Sequence, residues 1–235
     1  MKILLTISTF FLLTGCETTQ QVLNGMNTGT PALSTAEIAS GLKEALRIGT
    51  QNSTGKLAAA DGFFSNAAVK ILMPEEAKKV ESTLRNIGLG SLVDKAVLSM
   101  NRAAEDAAKS ATPIFVDAIK TMTITDALGI LKGGDDAATH YFKDKTTSSL
   151  TNAFRPVIEK ALAKVDATKY WNDVFTAYNK FSAKPVNTDL AGYVTERSLA
   201  GIFYEVAQEE LKIRKDPAAR VTELLKKVFG SVSQQ

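Results

Sequence analysis

Two alanine pairs, Ala103-Ala104 and Ala107-Ala108, recur at a spacing of four. In an α-helix, residues four apart stack on one face, so this stripe carries almost no side-chain bulk and lets a second helix approach closely. Such a face belongs at the centre of a helical domain. On the neighbouring face, the spacing of Asn101, Arg102, Glu105 and Asp106 brings Asn101 towards Glu105, and Arg102 towards both acids. A polar ladder therefore flanks the packing seam.

The stretch 100–145 stops and restarts several times. Thr112 can cap a helix with Pro113 at its first position, where the missing N–H costs nothing. Phe115, Ala118, Ile119 and Met122 give that helix an apolar face. Thr123 or Thr125 starts a short helix containing Ala127, Leu128, Ile130 and Leu131. Gly133-Gly134 ends it, since glycine adopts the left-handed cap conformation without steric cost. Asp135-Asp136 opens the next.

The N-terminal residues read differently. Lys2 supplies a positive start and residues 3–13 an apolar run. That run is too short for a spanning helix, which needs about 20 residues. Leu13-Thr14-Gly15-Cys16 looks like a bacterial lipobox, which makes residues 1–15 a signal peptide. Residues 16–33 are rich in Thr, Gln, Asn and Gly without a period and read as a flexible tether. Ser34 and Glu37 form a capping box, with Leu33 and Ile38 at the positions of a hydrophobic staple, so the folded domain is expected over 34–230 with a short tail at 231–235.

Within that domain, Ile38, Leu42, Ala45 and Leu46 share one stripe, although Gly41, Gly49 and Gly55 predict a weak or interrupted helix. Asp61-Gly62-Phe63-Phe64 is a break whose aromatics should plug the core. Pro74-Glu75-Glu76 opens a helix that Gly88 stops, and Ser91 is expected to cap the central helix. Thr147 opens an apolar face running to Val165, which Pro156 should kink or split. Trp171, Val174, Phe175 and Tyr178 lie on the helix after it. Asn187 can cap a long helix with Leu199, Ile202, Val206 and Leu211 among its buried positions, and Asp216-Pro217 leads into a last helix whose Val221, Leu224, Leu225 and Val228 close the core. No strand alternation persists. The fold class is all-α: an irregular single-domain helical bundle of about eight to ten helices.

The runs NRAAEDAA, TITDALGILKGGDDAATHYF, NTDLAGYV and EELKIRKDPAARVTELLKKVFG resemble the bacterial lipoprotein family known as domain of unknown function 4197, over residues 37–230. The resemblance implies an all-helical fold, a cell-envelope location, and cleavage before Cys16 with lipidation of its thiol; it implies no activity. Several acyl chains would hold the protein firmly to a membrane, at about 0.8 kcal/mol per buried CH₂. Glu17, rather than Asp, after the cysteine favours the inner leaflet of the outer membrane, facing the periplasm.

The chemistry on offer is limited. Cys16 is the sole cysteine, so an internal disulfide is impossible. Charge is balanced, 28 basic against 25 acidic residues, with no basic stripe interleaved with aromatics, which argues against nucleic acid as a partner. No catalytic residue, cofactor or metal set is assigned: nucleophile elbows, phosphate loops and zinc spacings are absent. His140, one turn after Asp136, suits a solvated role as well as a general base. Asp135 and Asp136 could hold a cation, but helix capping already accounts for them. Asn101, Arg102 and Glu105, joined by Glu209, Glu210 and Arg214, form either a polar pocket or a helix-to-helix network. The late aromatic cluster is core, or an apolar groove.

Two functional classes follow. The first is a non-enzymatic, lipid-anchored protein that binds an envelope protein or an apolar ligand. The second is an envelope hydrolase or other enzyme using carboxylates around Glu105 and Asp135. A water-filled site joining Asn101, Glu105 and Glu209-Glu210 would mark the second, and an exposed apolar groove the first.

Overall fold

The computed structural model describes residues 33–180, 185 and 188–232. Among them are nine α-helices and no strand: α1 (Thr35–Ala58), α2 (Lys78–Asn86), α3 (Gly90–Ala108), α4 (Ala111–Thr121), α5 (Ile124–Lys132), α6 (Ala137–Ala163), α7 (Ala167–Asn179), α8 (Leu190–Lys215) and α9 (Glu223–Val232). Short 3₁₀ turns precede α2 and α9. The chain is all-α, and Ser34–Gln235 forms one compact unit.

The small-residue helix is central. Ala103, Ala104, Ala107 and Ala108 of α3 are all fully buried, and α3 and α8 both pack chiefly against α6, while α8 also lies along α1. Phe63, Phe115, Phe142 and Phe154 fill the space between the helices. Phe115 and Phe142 meet edge to face at 5.2 Å, the geometry their ring quadrupoles favour.

Local signals fix two helix starts. Ser34 accepts the Glu37 N–H at 3.2 Å while the Glu37 carboxylate accepts the Ser34 N–H at 2.8 Å. Thr123 and Asp126 repeat this reciprocal box at α5. Gly88, at φ 83°, stops α2 through the left-handed cap.

Elsewhere packing overrides propensity. α1 is continuous through all three glycines, and Gly41 serves contact instead of interruption: a Cβ there would lie 2.7 Å from Val228 Cγ2 of α9, whereas Gly55 has open space around it. Gly133 ends α5 in extended backbone (φ −76°, ψ 179°), not in the left-handed conformation; it is needed because a Cβ there would sit 2.6 Å from Ala137 Cβ. Pro156 does not split α6, which runs unbroken from Ala137 and absorbs the segment expected to begin at Thr147. Leu150, Phe154, Ile158 and Leu162 are fully buried on both sides of the proline and outweigh one lost backbone bond.

Several caps move. α3 begins at Gly90 without a side-chain cap, placing Ser91 inside the helix. α4 begins at Ala111, and Thr112 instead hydrogen-bonds Thr54 at 2.7 Å. Asn187 lies outside the described residues; Asp189 caps α8, accepting the Gly192 N–H at 2.9 Å. Leu211 and Val221 are exposed, and α9 closes the core through Leu225, Val228 and Phe229 instead. Residues 1–32, with Cys16, also fall outside the described set, as do the side chains of Val174 and Tyr178.

Candidate functional site

The polar candidates divide into two buried networks and a set of surface pairs. Asn101, fully buried on α3, accepts the Ile71 N–H at 2.9 Å and donates to the carbonyls of Ile71 (2.8 Å) and Val97 (2.7 Å). It pins the segment before α2 as a one-residue strand mate would, and makes no bond to Glu105. One turn on, Glu105 Oε1 accepts the N–H groups of Phe63 and Phe64 at 3.2 Å each, and Oε2 accepts Arg102 Nη1 at 2.6 Å. Arg102 then reaches Asp61 at 2.7 Å. This network anchors the loop that inserts Phe63, in which Asp61 is held at φ 66°. Asp106, expected to share Arg102, pairs with Lys109 instead.

The second network lies where α8 meets the start of α6. Glu210 accepts the N–H groups of Ala138 and Thr139 and the Thr139 hydroxyl, each at 2.9 Å. Arg214 donates to the same carboxylate and to the Ile130 carbonyl, both at 2.8 Å. Glu210 thereby caps α6 and faces the positive end of its dipole. The capping role expected of Asp135-Asp136 thus falls to a residue from another helix. Asp135 pairs with Lys215 at 3.0 Å on the surface, and Asp136 at the N-cap position makes no side-chain cap. His140 is exposed and reaches the Asp136 carbonyl at 3.0 Å. Glu209 bonds Asn52 at 3.2 Å.

Among the described residues no hydrogen bond or ion pair joins the Asn101–Glu105 network to the Glu210–Arg214 network, and every buried side-chain nitrogen and oxygen has a partner. No group of three His, Cys, Asp or Glu side chains among them is placed to hold a metal, and no described helix is long and apolar enough to cross a membrane. Two buried charges escaped the sequence reading. Glu205, buried on α8, is held by Lys56 at 2.8 Å and Asn66 at 2.7 Å; its place between Ile202 and Val206 on the apolar stripe was the available signal. Arg220 donates to the Ile213 and Arg214 carbonyls and closes the end of α8.

An open apolar groove of about 740 Å³ lies between α2, α3 and α7. Met73, Val93, Met100, Trp171, Phe175 and Leu190 form its buried floor. The Trp171 and Phe175 rings meet there at a tilt, centroids 4.5 Å and planes 50° apart. Leu92, Leu98 and Val165 stand exposed at its rim. Val80 and Leu84 of α2 face it and are half-buried, and α2 has no fully buried residue. Of its described lining, Lys95 and Ser99 alone are polar.

The family model described as "Protein of unknown function (DUF4197)" matches residues 32–230. The chain belongs to the DUF4197 family. The match begins two residues before the Ser34 cap, so the DUF4197 region coincides with the compact helical unit and takes in both networks and the groove. No curated protein and no solved structure matches this DUF4197 chain.

Proposed function

We propose that this DUF4197 protein is a non-enzymatic, lipid-anchored component of the bacterial cell envelope that binds an apolar ligand in the groove between α2, α3 and α7. The observation that carries the binding role is the groove itself, an open apolar concavity in a protein whose described buried polar groups are all engaged. Its volume falls within the roughly 300–1,000 Å³ usual for small-molecule sites. Glu105 and Glu210 spend both carboxylate oxygens on backbone N–H groups, a hydroxyl and guanidinium groups that position helices, which favours a structural role for each. The lipobox-like Leu13-Thr14-Gly15-Cys16 supports anchoring through Cys16, with the domain in the periplasm beside the outer membrane.

The test uses non-lipidated protein, residues 17–235, and the neutral apolar dye N-phenyl-1-naphthylamine. Dye fluorescence should rise saturably with one site per chain. Ala96→Phe, which places a ring in the groove, should abolish the response while retaining helical circular dichroism. An absence of saturable binding to the parent protein would refute the proposed role of the groove.

A further inference from the structure

We infer that the groove's ligand is a single-chain anionic amphiphile, its hydrocarbon tail lying on the Trp171–Phe175 floor and its carboxylate or phosphate head paired with Lys95. This rests on the apolar-binding reading above and adds the chemistry of the head group. The two polar lining residues, Lys95 and Ser99, are one turn apart on α3 and so share a face. Among the described residues they mark a single polar spot on an otherwise apolar wall. Lys95 makes no ion pair among the described residues. The adjacent carboxylate does not neutralise it, because Asp94 is engaged by Arg85 at 2.9 Å, and Arg85 also binds Glu81 at 2.9 Å. The Ser99 hydroxyl donates to the Lys95 carbonyl at 2.9 Å and retains acceptor capacity. An ammonium without a counter-ion among the described residues, at the margin of an apolar trough, complements one negative head attached to a long tail. A partner helix in a groove offers apolar anchors at each turn with charges along its edges, and one cation beside one hydroxyl matches that pattern less well.

The sole tryptophan, Trp171, lies in the groove and supplies the readout. Residues 17–235 would be titrated with hexadecanoate below its aggregation threshold, and in parallel with uncharged hexadecan-1-ol, following Trp171 emission. Hexadecanoate should give a saturable change and bind about tenfold more tightly than the alcohol, the factor expected for one charge-assisted hydrogen bond. Lys95→Gln, at an exposed position that leaves the fold intact, should remove that preference and leave alcohol binding unchanged. Saturable alcohol and dye binding without a carboxylate preference, or with the preference intact in Lys95→Gln, would overturn the head-group assignment and leave the apolar groove standing. Failure of the dye and both amphiphiles would overturn both. A saturable Trp171 response to an uncharged amphipathic helical peptide, with none to hexadecanoate, would give the groove to a partner helix. Sedimentation with anionic vesicles, without uptake of monomeric hexadecanoate, would place this face on a bilayer and likewise refute the proposal.

Discussion

Glu210→Ala is the most informative single change in the domain. The carboxylate gathers two backbone N–H groups and a hydroxyl from the first turn of α6, and the Nε and Nη2 of Arg214. Its side chain is 5% exposed and that of Arg214 is 11% exposed, so solvent cannot replace the lost partner. Arg214 would retain the Ile130 carbonyl but no counter-charge. Breaking one side of a buried ion pair costs about 3–5 kcal/mol. In a domain of this size each kcal/mol moves the melting temperature by about 2–4 °C. The expected fall is therefore roughly 6–20 °C, read by far-ultraviolet circular dichroism during heating. Asp135→Ala is the control: its pair with Lys215 is more than half exposed on both sides and is worth less than about 1 kcal/mol. A Glu210→Ala protein melting within about 2 °C of the parent would refute the claim that a distant carboxylate caps and positions α6.

Three further outcomes test separate links. Ala107→Leu adds bulk where α3 is fully buried and should cost about 1–3 kcal/mol, seen as a lower denaturant midpoint at unchanged slope; an unchanged midpoint would mean the small-residue face is not packed. Cys16→Ala should release the protein from the membrane fraction of lysed cells, and retention equal to the parent would dismiss the anchor. Asp189 is held below its ordinary carboxyl value of 3.8, first by its hydrogen bonds from Arg155, and also by the Gly192 N–H. A depressed folded-state pKa contributes stability that is present above the unfolded value and is lost as pH falls through the folded one. Asp189→Asn still caps α8 but loses that charge. Its melting temperature should thus fall less steeply than the parent's on acidification below about pH 4, and parallel curves would show that the Arg155 pair contributes nothing.

What could be read from sequence was decided by distance along the chain. The Ser34–Glu37 box closes within three residues, so residue type and spacing were enough to predict it; the Thr123–Asp126 box is as local, and the sequence left its start open between Thr123 and Thr125. The cap on α6 comes from a residue 72 positions away, and the sequence offered the nearer Asp135 and Asp136 instead. Glycine and proline misled for a related reason. Gly41 costs helix propensity, but it admits Val228, and the gain in packing belongs to the pair. Arg102–Glu105 was visible as an i, i+3 pair, whereas their extension to Asp61 and the Phe63 loop spans about forty residues. The late aromatics Trp171 and Phe175 left core and groove open as readings, and the groove's other wall was hidden because its residues have core chemistry. Val80, Leu84, Leu92 and Leu98 look like any buried stripe, and only the placement of α2, nine residues long and without a fully buried side chain, leaves them open.

That placement couples binding to stability. Val93 and Met100 serve both the floor of the groove and the buried face of α3, while Phe175 and Leu190 tie it to α7 and α8. An amphiphile lying on these residues contacts the folded packing, which the unfolded chain lacks. A ligand that binds the native state alone stabilises it by about 2.7 kcal/mol at a free concentration one hundred times its Kd. At about 2–4 °C per kcal/mol, hexadecanoate at that concentration should raise the melting temperature by roughly 5–11 °C. Ala96→Phe, with the groove occupied by its own ring, should show no such rise. Differential scanning calorimetry over a concentration series reads both, because the shift must grow with the logarithm of free ligand. If Trp171 emission saturates while the melting temperature stays fixed, the bound molecule gains nothing from the native arrangement of α3, α7 and α8, and the groove is not where it binds.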